Sequence, residues 1–428
     1  MKIVKACLAL LLLAGCVSDR VQDDSLDEIA KDYVQMTLEI GEREPGYVDA
    51  YYGPQEWADA AKGAPRSLAH LSREAATLAA RTNAIDPSAL EPIEQRRRAF
   101  LLAQLRAATT RLRMLQGEKL SFAEEAEGLF GVSPQLKPLS DYDPVLKRIE
   151  ALVPGSGPLA DRVDAFQDAF TIPKERLKPV FDAAIAECKR RTAQHIAMPA
   201  GESFDLEFVT GKSWSGYNYY KGGYHSLIQV NTDLPIRISR AVDLGCHEGY
   251  PGHHALNMLL EQKLTKERGW IEFSIYPLYS PQSLIAEGSA NYGIDLAFPG
   301  PERLAFETAT LYPLAGIPAA KAPDYLALLH AMRDLAGARF TIARDFLEGR
   351  IDRAQAVALT QKYQLVSKAR AEQSIDFTTQ YRSYVINYGL GQDMVQAHIE
   401  RAGADPAARW AAMERLISEP TLPADLLR

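Results

Sequence analysis

The stretch Val242–Leu256, Val-Asp-Leu-Gly-Cys-His-Glu-Gly-Tyr-Pro-Gly-His-His-Ala-Leu, constrains the fold of this chain more than any other. Three of the eight histidines, His247, His253 and His254, fall within eight positions of one another, and Glu248 stands between the first and the other two. Apolar, helix-like runs flank the stretch. A regular helix cannot pass through it, because Pro251 lacks an amide hydrogen and clashes with the preceding turn, while Gly252 loosens the backbone. The chain must enter as a helix, break, and leave as a helix.

Imidazoles and a carboxylate at this density are the donor set of a Zn²⁺ site. In the spacing His-Glu-x-x-His, the two histidines lie one turn apart on one face, and the glutamate reaches the metal-bound water. Here Pro251 occupies the place of the second histidine. In a straight helix His254 would share a face with His247 but stand ~10 Å further along the axis, at ~1.5 Å per residue. A bulge at Gly249–Gly252 would absorb the extra residues and return His253 to the ligand position. His247 and His253 are therefore the expected ligands. His254 is the alternative ligand, or a group that orients a ligand or touches substrate.

Catalytic zinc usually has three protein ligands and keeps one position for water. Glu287 is the downstream candidate: it sits mid-helix among Ala286, Gly288 and Ser289, where close packing disfavours a charge. Asn291, one turn on, is placed to orient it. Zn²⁺ lowers the pKa of its water to about 7. Glu248 would take the proton and deliver it to a leaving amine. Tyr388, Tyr384 or Arg382, from the segment Tyr381–Gly391, would donate to the oxyanion. The strand Ser226–Asn231 is expected to pair with an extended peptide along its edge.

The remainder of the chain frames this site. With 428 residues it can bury a large core, and 47% hydrophobic with 24% charged residues is the balance of a globular protein. A net charge of −7 offers no basic surplus for nucleic acid. Ser25 and Glu28 form a capping box for a helix over about 26–41. Two Ala-, Leu- and Arg-rich helices span 65–116, broken at Asn83–Pro87, with their arginines on a solvated face. Further helices are expected over 121–131, from Pro179 to about Gln194, from Ser280-Pro281 onward, and over about 324–348. Tyr47–Pro54 reads as an aromatic turn. Phe204–Val209 and Ser226–Asn231 alternate like strands, which places a small antiparallel sheet before the histidines.

At the N-terminus, Lys2 and Lys5 precede a short apolar run ending in Leu13-Ala14-Gly15-Cys16, which resembles a bacterial lipobox. The resemblance implies a signal peptide over 1–15, lipid attachment at Cys16 and a polar tether over 16–24. Val17, rather than Asp, follows the cysteine, which in such lipoproteins more often goes with outer-membrane sorting. The expected location is the cell envelope, lipid-anchored and facing the periplasm. The remaining cysteines, Cys188 and Cys246, can pair in an oxidising compartment.

The run His247-Glu248-Gly249-Tyr250-Pro251-Gly252-His253-His254 resembles the bacterial domain of unknown function 885 family, whose pattern is His-Glu-x-x-Pro-Gly-His-His. Its second element, Glu-Gly-Trp-Ala-x-Tyr, is similar to Glu287–Tyr292, with Ser289 in place of the tryptophan. The family resembles gluzincin oligopeptidases. That implies a mainly α, zincin-like fold with a deep cleft, one zinc per chain held by His247, His253 and Glu287, and Glu248 as base. The expected organisation is an N-terminal helical region over 25–200 and a catalytic region over 201–428. The expected function is a zinc metallopeptidase acting on peptides. The alternative is an envelope lipoprotein that binds metal or peptide without turnover.

Overall fold

A computed structural model describes residues 25–428; the expected signal peptide, Cys16 and the tether to residue 24 lie outside the described residues. The capping box forms. Ser25 Oγ accepts the Glu28 amide at 3.2 Å, the Glu28 carboxylate accepts the Ser25 amide, and helix Leu26–Arg43 follows. Its buried face, Ile29, Tyr33, Met36 and Ile40, recurs every three to four residues. Residues 47–54, expected as a turn, include a short strand β1 (Val48–Tyr51).

Helices Leu68–Ala84 and Pro92–Leu115 flank the expected break. The arginines of the second helix are not all solvated. Arg97 is buried between the carboxylates of Glu272 and Asp27, and Arg111 holds Glu44. Both contacts tie distant segments together, which amphipathic spacing alone does not reveal. Helix Phe122–Phe130 matches expectation, and helix Leu177–Thr192 begins two residues ahead of Pro179.

The small sheet contains β2 (Ser203–Val209), β3 (Gly216–Gly222) and β4 (His225–Asn231), in spatial order β2-β4-β3. The β3–β4 hairpin is antiparallel, and β2 lies parallel to β4 on its other side. Hence β4 is the central strand, and the edge pairing expected of it is closed to a peptide. A second, two-stranded sheet joins β1 to β5 (Ile275–Pro277).

The segment expected as one helix over 324–348 is two, Ala322–Arg333 and Ala338–Leu347. At the break, a Cβ on Gly337 would stand 2.3 Å from Tyr142 Oη, so the glycine leaves room for Tyr142. One large hydrophobic cluster takes residues from Leu26 to Leu426, and a smaller one is built around Ile149, Val163, Leu328 and Ile342. The chain is mainly α-helical, with its small sheet beside the histidine-bearing segment. Among the described residues, no helix is long and apolar enough to cross a membrane.

Candidate metal centre

The histidine segment breaks as its residues require. Helix Ser239–Leu244 widens into a π-helical turn, Gly245–Gly249, which carries His247 and Glu248. The chain then passes a cis Tyr250–Pro251 peptide and resumes as helix His253–Leu260. The Gly252 amide donates to Cys246 O at 3.1 Å. A Cβ on Gly252 would stand 1.8 Å from His247 O, so no other residue fits. A Cys188–Cys246 disulfide ties the wide turn to helix Leu177–Thr192.

This break brings His253 back beside His247. Their Nε2 atoms are 3.1 Å apart, and Glu287 Oε2 lies 3.2 Å from His247 Nε2 and 3.7 Å from His253 Nε2. A tetrahedral zinc with ligands at 2.0–2.1 Å has edges of about 3.3 Å, close to all three separations. Among the described residues, the buried Glu287 Oε2 has no hydrogen-bond partner. Its other oxygen accepts the Tyr384 hydroxyl at 2.7 Å. Two imidazole nitrogens and this orphaned carboxylate oxygen, converging at such separations, fit a zinc ion.

Helix Pro281–Ala297 delivers Glu287 because it packs unusually close to helix Ile386–Glu400. A Cβ on Gly288 would meet Gly391 O at 2.4 Å. The small residues noted in the sequence serve that approach. Asn291 orients a candidate ligand, but a different one from that expected: its Oδ1 lies 3.1 Å from His247 Nδ1, and its Nδ2 donates to Tyr388 O at 3.3 Å. In one helical turn from Glu287 the chain reaches the far side of the His247 ring, which fixes the ring with Nε2 facing His253 and Glu287.

His254 turns away from the cluster. It is fully buried, with Nδ1 2.7 Å from Ser226 Oγ and Nε2 3.0 Å from Glu202 Oε2. Arg382, expected as an oxyanion donor, instead holds Glu125 at 2.8 Å and does not line the cleft. Tyr388 does line it, its ring stacked on His247 at 6.4 Å between centroids. Burial raises the Tyr388 hydroxyl well above its ordinary pKa, so it remains a donor at neutral pH.

The cluster opens on a cleft of about 480 Å³ walled by β3 and by the helices that carry Glu287 and Tyr388. Glu248 lines it, and a Cβ on Gly216 would stand 2.7 Å from Glu248 Oε1, so β3 leaves room for this carboxylate by having no side chain there. Burial raises the Glu248 pKa against the lowering pull of His247 and His253. Burial likewise opposes ionisation of Glu287, but its contacts with the two histidines overcome this and hold it well below the usual range.

Of the cleft residues that escaped the sequence reading, two stand close to its chemistry. Asp49, on β1, accepts the Tyr217 hydroxyl; burial pushes its carboxyl up to about 7, with His253 opposing and Glu287 and Glu248 assisting. Arg339 stands over the Tyr388 ring, 5.7 Å from its centroid. An acidic residue inside the aromatic run 47–54 was the available signal for Asp49; Arg339 had none.

No family model and no curated protein matches the chain. Two solved structures are similar across most of its length. One is a candidate lipoprotein from Colwellia psychrerythraea: 15% identity, TM-score 0.48, covering 92% of this chain and 74% of that one. The other is an M32 carboxypeptidase from Deinococcus radiodurans R1: 13% identity, TM-score 0.48, covering 94% and 93%.

Proposed function

We propose that this chain is a zinc-dependent metallopeptidase acting on peptides in the cell envelope. The observation that carries the reading is the His247, His253 and Glu287 triangle, with edges of 3.1, 3.2 and 3.7 Å around an unpartnered buried carboxylate oxygen. Zinc bound there would supply Lewis acidity and a nucleophile at neutral pH.

The residues around it take the remaining tasks. Glu248, with a pKa raised by burial, accepts the proton of the attacking water on a carboxylate oxygen and returns it to the leaving nitrogen. Tyr388, kept protonated, donates its hydroxyl to the developing oxyanion. Tyr384 acts one step back, holding Glu287 Oε1 so that Oε2 faces the histidines. Because β4 is central, the strand edge available to an extended peptide beside Glu248 is that of β3, where Gly216, Tyr217 and Asn218 line the cleft. The Cys188–Cys246 disulfide supports an oxidising location, in keeping with the lipobox-like N-terminus.

The test is metal analysis together with cleavage of a peptide library. The expected result is about one zinc per chain and hydrolysis that a chelator stops and added zinc restores. Zinc bound at that stoichiometry with no cleavage of any peptide would leave a binding protein in place of an enzyme.

A further inference from the structure

Arg240, Arg333, Arg339 and Arg370 line the cleft. The first two and the last are engaged. Arg240 donates to Ser215 Oγ at 3.1 Å and lies 3.6 Å from Asp243, Arg333 holds Asp295 at 2.8 Å, and Arg370 donates to Pro235 O at 2.8 Å. Arg339 differs. Among the described residues its guanidinium has no carboxylate, carbonyl or hydroxyl partner, and its Nε is buried without any hydrogen bond. It is held only by rings, with its Cζ 5.2 Å from the centroid of Phe377 and 5.7 Å from that of Tyr388.

Its position is electrostatically unfavourable. Arg339 lies in the first turn of helix Ala338–Leu347, where the backbone dipole opposes a cation. An unfilled buried donor costs further stability. Glu287, the acid that acts on it electrostatically, has one oxygen accepting from Tyr384 and the other turned to the two histidines. Tyr388 touches both the His247 ring and Arg339, which places the unpaired cation one aromatic ring from the metal cluster. A guanidinium presents a planar fork of donors that matches a carboxylate.

We propose that Arg339 is the docking point for a substrate carboxylate, so that the cleft takes peptides bearing a negative group next to the bond to be cut. The proposal rests on the peptidase reading and narrows it. The carboxylate is either the chain's C-terminus, which would make the activity that of an exopeptidase, or an acidic side chain beside the scissile bond.

Calorimetric binding to the zinc-loaded full chain carrying Glu248→Gln tests this without turnover. The probes are N-acetyl-Ala-Phe as free acid, the same dipeptide as its C-terminal amide, and N-acetyl-Glu-Phe amide. An ionic hydrogen-bonded pair predicts that one of the two carboxylate-bearing probes binds roughly tenfold to a hundredfold more tightly than N-acetyl-Ala-Phe amide. A preference for the free acid identifies the C-terminus; a preference for the glutamyl amide identifies a side chain. Adding Arg339→Met, which keeps packing volume against Phe377 and Tyr388, should bring the ratio to about one. Arg339→Lys, which keeps the charge but loses the fork, should reduce it and carries the test if the methionine variant does not fold. Equal binding of all three probes, or a preference that survives Arg339→Met, overturns the proposal. In the wild-type chain, carboxylate preference without turnover would remove the peptidase reading and leave the anion site. Turnover without the preference would do the reverse.

Discussion

Two histidine–carboxylate clusters stand side by side in this molecule, built from the same residue types and assigned by one step of the chain. His253 joins His247 and Glu287; His254 joins Glu202, Tyr250, Ser226 and Lys189. Successive helical residues project about 100° apart, since 3.6 residues make a turn, so neighbours enter different environments. In the His254 cluster the polar atoms are matched. Both ring nitrogens have partners, and Glu202 also takes the Tyr250 hydroxyl and the Lys189 ammonium. In the His253 cluster two imidazole nitrogens face each other and, among the described residues, an acid oxygen has no donor. A saturated buried network holds a fold together. An unsaturated one, built from zinc-ligand types, has a place for a cation.

The largest effect that would break this contrast is on metal. His253→Ala should abolish stoichiometric zinc binding and chelator-sensitive hydrolysis, whereas His254→Ala should retain the zinc, as read by elemental analysis. Loss of zinc in the second variant would erase the distinction. Next, Glu248→Gln should reduce hydrolysis by about 10³-fold with zinc still bound, in the range for a general base. Retention of near-wild-type rates with the metal in place would remove Glu248 from its assigned role.

On the structural side, His254→Ala should lower unfolding stability by about 3 kcal/mol in denaturant titration, because it leaves the largely covered Glu202 carboxylate and the buried Ser226 hydroxyl short of partners. A loss no larger than that of a surface substitution would mean the second cluster contributes little. Asn291→Ala should weaken zinc about 10- to 100-fold by freeing the His247 ring, measured by competition with a chromogenic chelator.

The smallest effect is in pH. Burial raises the Glu202 carboxyl, but hydrogen bonds from His254, Lys189 and Tyr250 outweigh it and bring the pKa from 4.5 to about 2. A depressed pKa contributes stability above the unfolded-state value that fades as pH falls toward the folded one. The stability difference between wild type and Glu202→Gln should therefore shrink as the pH falls from about 5 toward 2. Thermal melts at several pH values read it, and a difference that holds constant over that range would count against the network.

Local signals were the legible ones. The Ser25–Glu28 capping box, the break at Pro251-Gly252 and the small residues around Glu287 each act over a few positions, and each appears as written. Long-range pairings were not legible. The sequence spacing sets Asn291 near Glu287, but Asn291 reaches His247, whose ring lies on another segment. Arg382 looked available as a donor until Glu125, 257 positions away, was seen to hold it. The order of the sheet, which shuts the edge of β4, depends on β2 arriving in parallel, and alternation of side chains says nothing about direction.

By itself the sequence determined that a metal-type donor set sits at a broken helix and that Glu248 stands beside it, because proline and glycine act on their own backbone and donor chemistry belongs to the side chain. Only the tertiary structure decided which of two adjacent histidines meets Glu287 and, among the described residues, which carboxylate oxygen and which guanidinium are left without a hydrogen-bond partner. Those outcomes depend on how close helix Pro281–Ala297 can lie to its neighbours, and a Gly288–Gly391 contact between segments a hundred residues apart is a property of packing, not of any one stretch of chain.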